Sequence, residues 1–315
     1  MNGLGNTVLA VVPKNQTHSQ RIRNVIAPYL YIAPFAVLLL VFNLFVFIKG
    51  AYTSMTDAQS INPGSWIGLE NYQEIIHNTR FWDSFWITIR YTVGSIVTQI
   101  PVAFLLAVIL NRVAKKFRGV LRASFYVPAL INSVVVALIF RVLFNKDFGA
   151  INWFLGLLHL PNHTNWLNES TFSVALMIAV SFWQWTGFHM VYFLSQLQTI
   201  DPTIYEVSTL DGASPLRTLL QITVPLMRPA FTFVMITSAI GCLMLFDLPF
   251  MLFPNSAPYG PGQAARTLVA FVYDYGFGQQ FQLGYATAAG WLVFCIVMVV
   301  SIFQLRLFGL GRTDE

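Results

Sequence analysis

Charged residues are scarce in this sequence. Only 10% of its 315 residues are Asp, Glu, Lys or Arg, whereas 56% are hydrophobic. An ordinary soluble domain carries about 25% charged residues, so this composition excludes that class. The net charge of +5 does not indicate a nucleic-acid partner, because the basic residues flank apolar runs and are not gathered on one face.

The motifs of an enzyme or a metal-binding chain are missing as well. The two cysteines, Cys242 and Cys295, lie in apolar stretches, so neither a disulfide framework nor a metal site is indicated. No G-x-x-x-x-G-K-[ST] phosphate loop and no nucleophile elbow occurs. We therefore expect a chain that is not an enzyme and has no cofactor of its own.

Long apolar runs, in contrast, are abundant. The first, roughly Ala27 to Ile48, is long enough to cross about 30 Å of hydrocarbon. Inside lipid each element must satisfy its own backbone polar groups, which requires helices. The sequence thus predicts an all-α integral membrane protein with six transmembrane helices. The five further runs lie near Tyr91–Leu110, Ala123–Phe140, Thr171–Leu197, Pro229–Phe246 and Leu283–Leu305.

The basic residues predict the orientation of these helices. Lys and Arg are enriched in cytoplasmic flanks. With both termini in the cytoplasm, the cytoplasmic side has twelve of them and the outer side six. The cytoplasmic set is Lys14, Arg21, Arg23, Arg112, Lys115, Lys116, Arg118, Arg122, Arg217, Arg228, Arg306 and Arg312, and the outer set is Lys49, Arg80, Arg90, Arg141, Lys146 and Arg266.

Between the fourth and fifth runs lies a segment, residues 201–225, that we call the elbow. Asp201-Pro202 and Ser214-Pro215 each place a capping side chain before a proline, which predicts two helix starts. Gly212 can end the first helix, because glycine adopts left-handed dihedrals easily. Pro225 is expected to end the second. The charge bias places this helix–glycine–helix elbow in the cytoplasm.

An alternative interpretation is that the elbow lies on lipid headgroups as two amphipathic turns. Such interfacial helices carry Lys and Arg along their polar face. The elbow has one basic residue, Arg217, and three acidic ones, Asp201, Glu206 and Asp211, which anionic lipid would repel. The sequence therefore favours contact with a protein partner.

The fourth run contains the most informative intramembrane cluster, residues 182–189, followed by Tyr192. Aromatic faces and amides are the groups that bind sugars. Trp183, Gln184 and Tyr192 are therefore candidates for a substrate path, and Gly187 would permit close approach of a ligand or helix. The alternative for Trp183 and its neighbour Trp185 is simple packing against lipid and helices.

Three polar or aromatic positions elsewhere are further candidates for this path. Asn132 follows Pro128 in the third run, where the alternative role is to satisfy backbone groups that a proline kink frees. Phe246 ends the fifth run and Asp247 follows it. A carboxylate in a membrane is costly, so Asp247 should face water, a polar partner or substrate, unless it lies at the outer mouth.

The elbow resembles a known motif. Glu206, residues 211–213, Ile222 and Pro225 fall where the cytoplasmic "EAA" loop of ATP-binding-cassette importer permeases has its E-A-A, D-G-A and I-x-x-P residues. The chain departs from the pattern after the glutamate, with Val207-Ser208 in place of two alanines. In that family the loop seats in a cleft of the ATPase. The resemblance thus implies ATPase-coupling roles for Tyr205, Glu206, Ser208, Leu210, Asp211, Gly212, Ala213 and Arg217.

The resemblance extends from about Pro28 to Phe308 and is to carbohydrate-importer permeases related to the maltose system, specifically the larger permease. It is supported by residues 66–72, by 273–277 and by Gly284-Tyr285-Ala286-Thr287-Ala288. It implies a bacterial inner-membrane subunit whose partners are a second permease, an ATPase dimer that binds ATP and Mg²⁺, an extracytoplasmic sugar-binding protein, and lipid.

These observations predict three regions: a cytoplasmic tail at 1–26, a transmembrane permease domain at 27–308 with its coupling loop at 201–225, and a cytoplasmic tail at 309–315. The alternative function is a stand-alone secondary carrier or channel for a small polar solute. It is disfavoured because few ionisable residues lie inside the spans and no inverted repeat is evident.

Overall fold

The computed structural model describes residues 18–60, 62–113, 115–161, 163–253, 258–278 and 281–308. That part of the chain is helical with only two isolated β-bridges, which confirms the predicted all-α class. The chain divides into two compact units, Met1–Tyr52 and Thr53–Glu315. Residues 1–17 of the predicted tail 1–26, and the whole of the predicted tail 309–315, lie outside the described residues.

The described residues of the first unit, from His18 on, form a single long helical run. Helix α1 (His18–Leu39) passes through a π-helical segment (Leu40–Phe45) into α2 (Val46–Thr53). The run therefore begins inside the predicted polar tail, nine residues before Ala27. Its apolar part, Tyr29–Thr53, is 25 residues long and meets the length and composition of a membrane span.

The second unit contains the remaining helices, two of which, α4 and α8, are long and lie side by side at its centre. In chain order they are α3 (Glu70–His77), α4 (Thr79–Arg112), α5 (Lys115–Leu130), α6 (Ser133–Leu143), α7 (Ala150–Leu157), α8 (Ser170–Leu197), α9 (Pro202–Leu210), α10 (Pro215–Thr218), α11 (Val224–Leu226), α12 (Arg228–Leu243), α13 (Asp247–Leu252), α14 (Leu268–Phe277) and α15 (Leu283–Phe308).

Within the described residues, four helical stretches are long and apolar enough to cross a membrane, or up to six if each of two bent pairs is one span. The bent pairs correspond to the third and fifth predicted runs. The pair α5–α6 bends by 93° and the pair formed by Pro215–Leu226 and α12 bends by 66°. The apolar runs thus predict where helices form, but not the break inside the third run or the bend at Met227 just before the fifth.

Buried apolar side chains form one cluster around each half of the α4–α8 pair. Val136, Met177 and Val180 belong to the cluster on the side of α6 and α13. Ala103 and Phe193 belong to the cluster near the elbow, where α4, α8 and α12 meet. Because helix packing in lipid depends on close contact between side chains, the two clusters fix α4 against α8 along their length.

A third cluster joins α3, the start of α4, α14 and α15, and a polar residue joins these helices directly. Asn78 caps α4 by accepting a hydrogen bond from Arg80 N at 3.0 Å. Its amide donates to the hydroxyls of Tyr275 (3.2 Å) and Tyr285 (2.9 Å). This side chain therefore links the start of α4 to α14 and α15.

The loop before α14 is anchored at both ends. The Arg266 guanidinium is buried and donates to Ser84 Oγ at 3.2 Å and to the Arg80 carbonyl at 3.3 Å. Tyr259 donates to Asp274 at 2.8 Å, and burial raises the pKa of this carboxyl group. Residues 254–257 of this loop lie outside the described residues.

Candidate functional site

The sharp bend between α5 and α6 is held by side chains. Pro128 has no N–H to donate, so the helix weakens in its last turn. Asn132 caps α6 by accepting from Val134 N at 2.9 Å. The buried Gln184 amide, from α8, donates to the Ile131 carbonyl at 3.1 Å and to Ser133 Oγ at 3.2 Å. Three groups at the break, the Val134 N–H, the Ile131 carbonyl and the Ser133 hydroxyl, thereby gain a side-chain partner.

A glycine brings α8 against the same broken helix. An ideal Cβ on Gly187 would lie 1.7 Å from the Phe125 carbonyl oxygen, far inside van der Waals contact. Only glycine permits this approach of two backbones. Gly187 therefore lies against a helix, one of the two possibilities that the sequence left open, and it fixes α5 against α8.

Beside this junction is a cavity of about 360 Å³, which we call the polar cavity. Helices α4, α6, α8 and α12 form it together with the segment that joins α12 to α13. Its lining residues are Tyr91, Gln99, Ser133, Trp185, Phe188, His189, Thr237, Ser238, Gly241, Cys242, Met244, Leu245, Phe246 and Asp247.

The wall of the polar cavity combines flat aromatic faces with hydroxyl, amide and carboxylate groups. Trp185 and Phe188 contact each other edge to face, with ring centroids 6.1 Å apart. His189 Nε2 lies 3.3 Å from Ser238 Oγ, as expected for a histidine that packs by hydrogen bonding. Aromatic faces bind the C–H surfaces of a sugar ring and the polar groups bind its hydroxyls, so the chemistry suits a saccharide.

The short junction between α12 and α13 places Phe246 and Asp247 in this wall. The Thr267 hydroxyl donates to the Leu245 carbonyl at 2.7 Å, which satisfies a backbone acceptor where α12 has ended. The Phe246 ring contacts Tyr273, with centroids 4.7 Å apart. Asp247 begins α13 and its side chain is exposed. The fold thus holds a carboxylate at the cavity surface.

Of the seven residues predicted to lie on a substrate path, Phe246 and Asp247 line the polar cavity. The structure places the others around it. Trp183 contacts the Phe140 ring edge-on at 5.4 Å, and Tyr192 stacks on Phe233 at 4.7 Å. Asn132, Gln184 and Gly187 occupy the α5–α6 break described above.

Several cavity residues were not among those candidates. Trp185 lines the wall where its neighbour Trp183 does not. Thr237, Ser238 and Gly241 recur at helical spacing in α12, and this spacing of small and polar residues in an apolar run was the available signal. Gln99 is an isolated amide in the second apolar run, which is a weaker indication that a residue lines a cavity.

The elbow has the local structure that its sequence predicts. Asp201 caps α9 by accepting from Thr203 N at 2.9 Å, which lowers the pKa of the Asp201 carboxyl group. Ser214 caps α10 by accepting from Arg217 N at 3.3 Å. Gly212 has a φ of +71°, in the left-handed region.

Two backbone hydrogen bonds at the end of α9 form a Schellman motif. Gly212 N–H donates to the Thr209 carbonyl at 3.1 Å and Ala213 N–H donates to the Ser208 carbonyl at 3.0 Å. The second helical arm differs from the prediction at its end, because it continues through Pro225 to Leu226 and the break follows at Met227.

Side chains join the two arms of the elbow. The buried Ser208 hydroxyl lies 2.8 Å from the Thr218 hydroxyl. Thr223 donates to the Tyr205 hydroxyl at 3.5 Å, which ties α9 to the π-helical segment Leu219–Thr223. The serine that departs from the E-A-A pattern is therefore small enough to be buried and supplies a bond that alanine could not.

The outward surface of the elbow is apolar and acidic. Leu210 is 86% exposed, Leu216 65% and Val207 55%. Glu206 and Asp211 are exposed beside them. Monomeric soluble surfaces rarely present such apolar groups together, and contiguous patches mark interaction sites. We call this surface, formed by Glu206, Val207, Leu210, Asp211 and Leu216, the elbow face.

Comparisons with known proteins identify the family of this chain. Residues 99–308 match the family described as "Binding-protein-dependent transport system inner membrane component". The arabinooligosaccharides transport system permease protein of Bacillus subtilis (strain 168) is 34% identical over 286 residues, covering 90% of this chain and 88% of that protein. The trehalose/maltose transport system permease protein of Thermococcus litoralis is 29% identical over 307 residues, covering 95% and 99%.

Solved structures share the fold. A chain in the crystal structure of a bacterial alginate ABC transporter, in complex with an alginate pentasaccharide-bound periplasmic protein, superimposes with a TM-score of 0.81. It is 21% identical and the match covers 93% of this chain and 97% of that one. The family resemblance read from the sequence is confirmed: the chain belongs to the inner membrane components of binding-protein-dependent transport systems.

Proposed function

We propose that this chain is a transmembrane permease subunit of an ATP-driven, binding-protein-dependent importer of a sugar or oligosaccharide, and that it forms half of the translocation pathway. Family membership supports this function, and the relatives named above are permeases for arabinooligosaccharides and for trehalose or maltose. The observation that carries the proposal is the elbow, two short capped helices joined at Gly212 with exposed apolar and acidic side chains.

In this proposal the bent pair α5–α6 is one span and α12 is another, which with the four long helical stretches gives six. The excess of Lys and Arg then places the elbow and both termini in the cytoplasm of a bacterium. The opposite end, with α3, α7 and the loop before α14, faces outward. The chain lies in the inner membrane, in contact with lipid along its exposed apolar helices.

The elbow face is the proposed seat for an ATPase subunit, which binds ATP and Mg²⁺. Leu210 and Leu216 would enter an apolar cleft and Asp211 would meet basic groups at its rim. Ser208 and Thr218 keep the two arms together, so that force on the elbow face moves both. This chain would convert movement of the ATPase dimer into movement of its spans, with no catalytic group of its own.

The polar cavity is the proposed half of a substrate path. A second, similar permease would close its open side, and an extracytoplasmic sugar-binding protein would deliver the ligand from the outer end. Access alternates between two packings of rigid helices. The saccharide needs only to bind one of them better, since the ATPase supplies the free energy.

Co-purification with a tag on this chain tests the proposal. We expect the solubilised chain to retain a second permease and an ATPase. Replacing Leu210 and Leu216 by Asp should remove the ATPase and preserve the permease partner, because charges on the elbow face oppose burial in an apolar cleft. Leu69→Asp is a matched control, since Leu69 is 58% exposed in the loop before α3.

Two outcomes would contradict the proposal. One is a chain that purifies alone and transports solute in vesicles without ATP, which is the behaviour of a secondary carrier. The other is retention of the ATPase by the Leu210→Asp, Leu216→Asp variant at the level of the Leu69→Asp control.

A further inference from the structure

The charges in the wall of the polar cavity are of one sign. Asp247 contributes a carboxylate, and within the described residues it has no hydrogen-bonding or ionic partner. Among the residues that the structure describes, neither Lys nor Arg lines the cavity. Neither ring nitrogen of His189 has an anionic partner, since Nε2 faces Ser238 and Nδ1 has no hydrogen-bond partner. The wall therefore has nothing to balance a negative ligand.

With these charges, the polar cavity should bind neutral saccharides more tightly than acidic ones. A sugar hydroxyl can donate to the Asp247 carboxylate, and a hydrogen bond to a charged acceptor is stronger than a neutral one. A ligand carboxylate would instead be placed near a like charge, between the low-dielectric walls that Trp185, Phe188 and Phe246 provide. Such walls strengthen repulsion and remove the water that would otherwise solvate the ligand.

We propose that the polar cavity selects saccharides that carry no acidic groups, and that Asp247 is the residue that determines this specificity. The proposal rests on the proposed function, because it presumes that a saccharide passes through the cavity. It adds the substrate class: neutral oligosaccharides are accepted, whereas uronic-acid oligosaccharides are rejected in the membrane, independently of any selection by the binding protein.

Calorimetric titration of the whole transporter in lipid nanodiscs, without binding protein or nucleotide, tests this selection. The neutral probes are galactotriose, maltotriose, arabinotriose and the trimethyl ester of trigalacturonate, and the acidic probe is trigalacturonate. The ester has nearly the size of the acid without its charge. We expect trigalacturonate to bind at least tenfold more weakly than the ester and the best neutral probe, roughly the effect of one unfavourable charge contact.

The variant Asp247→Asn keeps the size and removes the charge, so this gap should shrink to within about threefold. Asp147→Asn is the matched control, an exposed carboxylate between α6 and α7 that does not line the cavity, and it should leave the gap unchanged. Equal binding of trigalacturonate and its ester to the unmodified transporter would overturn the inference, as would an undiminished gap in Asp247→Asn. Either result leaves the proposed function intact. Failure of every neutral probe to bind would contradict both.

Discussion

The two bent helix pairs of this protein are broken in different ways. At the 93° bend, between α5 and α6, the interruption is repaired by side chains: Asn132 caps the new helix and Gln184 reaches across from α8. At the 66° bend, Met227 has no side-chain cap. There two backbone bonds flank the bend, with Met227 N–H donating to the Thr223 carbonyl and Phe231 N–H donating to the Met227 carbonyl, both at 3.0 Å.

The difference indicates how each break should respond to force. Side chains of α8 hold the first break, so α5, α6 and α8 should move as one body around the polar cavity. The second break has a backbone hydrogen bond on either side of Met227 and lies directly after the elbow, so we expect a push on the elbow to pass through Met227 into α12. Thr237 and Ser238, on α12, face the same cavity. In the proposed importer the first break stays fixed, whereas the second transmits movement of the elbow to α12.

The largest effect should follow from Gly187→Ala. The added methyl group would overlap the Phe125 carbonyl, which is backbone and cannot change rotamer, so α5 must separate from α8. Overpacking typically costs about 1–3 kcal/mol, and a backbone obstacle places this variant at the upper end. We expect loss of the monodisperse peak in size-exclusion chromatography after solubilisation.

Gly290→Ala is its matched control, because an added Cβ there meets nothing within 4 Å and Gly290 also lies in a long apolar helix. A Gly187→Ala protein as stable as this control would mean that the close α5–α8 contact is not needed.

Gln184→Leu tests whether the first break is held by hydrogen bonds. The substitution keeps the apolar volume but leaves the Ile131 carbonyl without its donor. An unsatisfied buried acceptor costs about 1–3 kcal/mol, so we expect a lower apparent melting temperature in detergent. Gln198→Leu, at the exposed end of the same helix, should have little effect. Equal melting temperatures for the two variants would show that packing alone holds the bend.

Gly212→Val tests whether the elbow transmits force to α12. A β-branched residue at a φ of +71° is strained by about 1–2 kcal/mol, so the junction between α9 and α10 should rearrange. We expect uptake to fall about tenfold in reconstituted vesicles while ATP hydrolysis persists. Gly212→Asn is the control, since asparagine tolerates the left-handed region. If the valine variant still couples uptake to ATP hydrolysis, the shape of the elbow at Gly212 is not needed to transmit force.

The smallest effect should come from the bond between the two arms. Ser208→Ala restores the alanine of the E-A-A pattern and removes a hydrogen bond that contributes about 0.5–1.5 kcal/mol. A double-mutant cycle with Thr218→Val, measured on the ratio of uptake to ATP hydrolysis, should show coupling of this order. Strict additivity of the two changes would mean that the hydroxyl pair does not connect the arms.

Local chemistry explains which features could be predicted from the sequence. The caps at Asp201 and Ser214 and the left-handed Gly212 are determined within a few residues, and the structure has all three. The candidate path was predicted less completely. Phe246 and Asp247 line the polar cavity, whereas Trp183 contacts Phe140 and its neighbour Trp185 lines the wall.

The sequence does not indicate which of Trp183 and Trp185 faces a cavity, because both are aromatic residues on one apolar helix. Which of them faces a cavity depends on how that helix is rotated against α6 and α12. Gln184 shows the same limit, since its partner carbonyl at Ile131 is 53 residues away in the chain.

By itself, the sequence determined that this protein is helical and suited to a membrane, where a capped and glycine-jointed elbow forms, and to which family it is similar. Each of these depends on hydropathy or on bonds between near neighbours in the chain. Only the tertiary structure decided that two helix pairs are sharply bent, that Gln184 holds one of the bends, and which side chains surround the polar cavity. Those outcomes depend on contacts between distant helices, whose rotation and approach are fixed by packing, for example at Gly187, where two backbones meet.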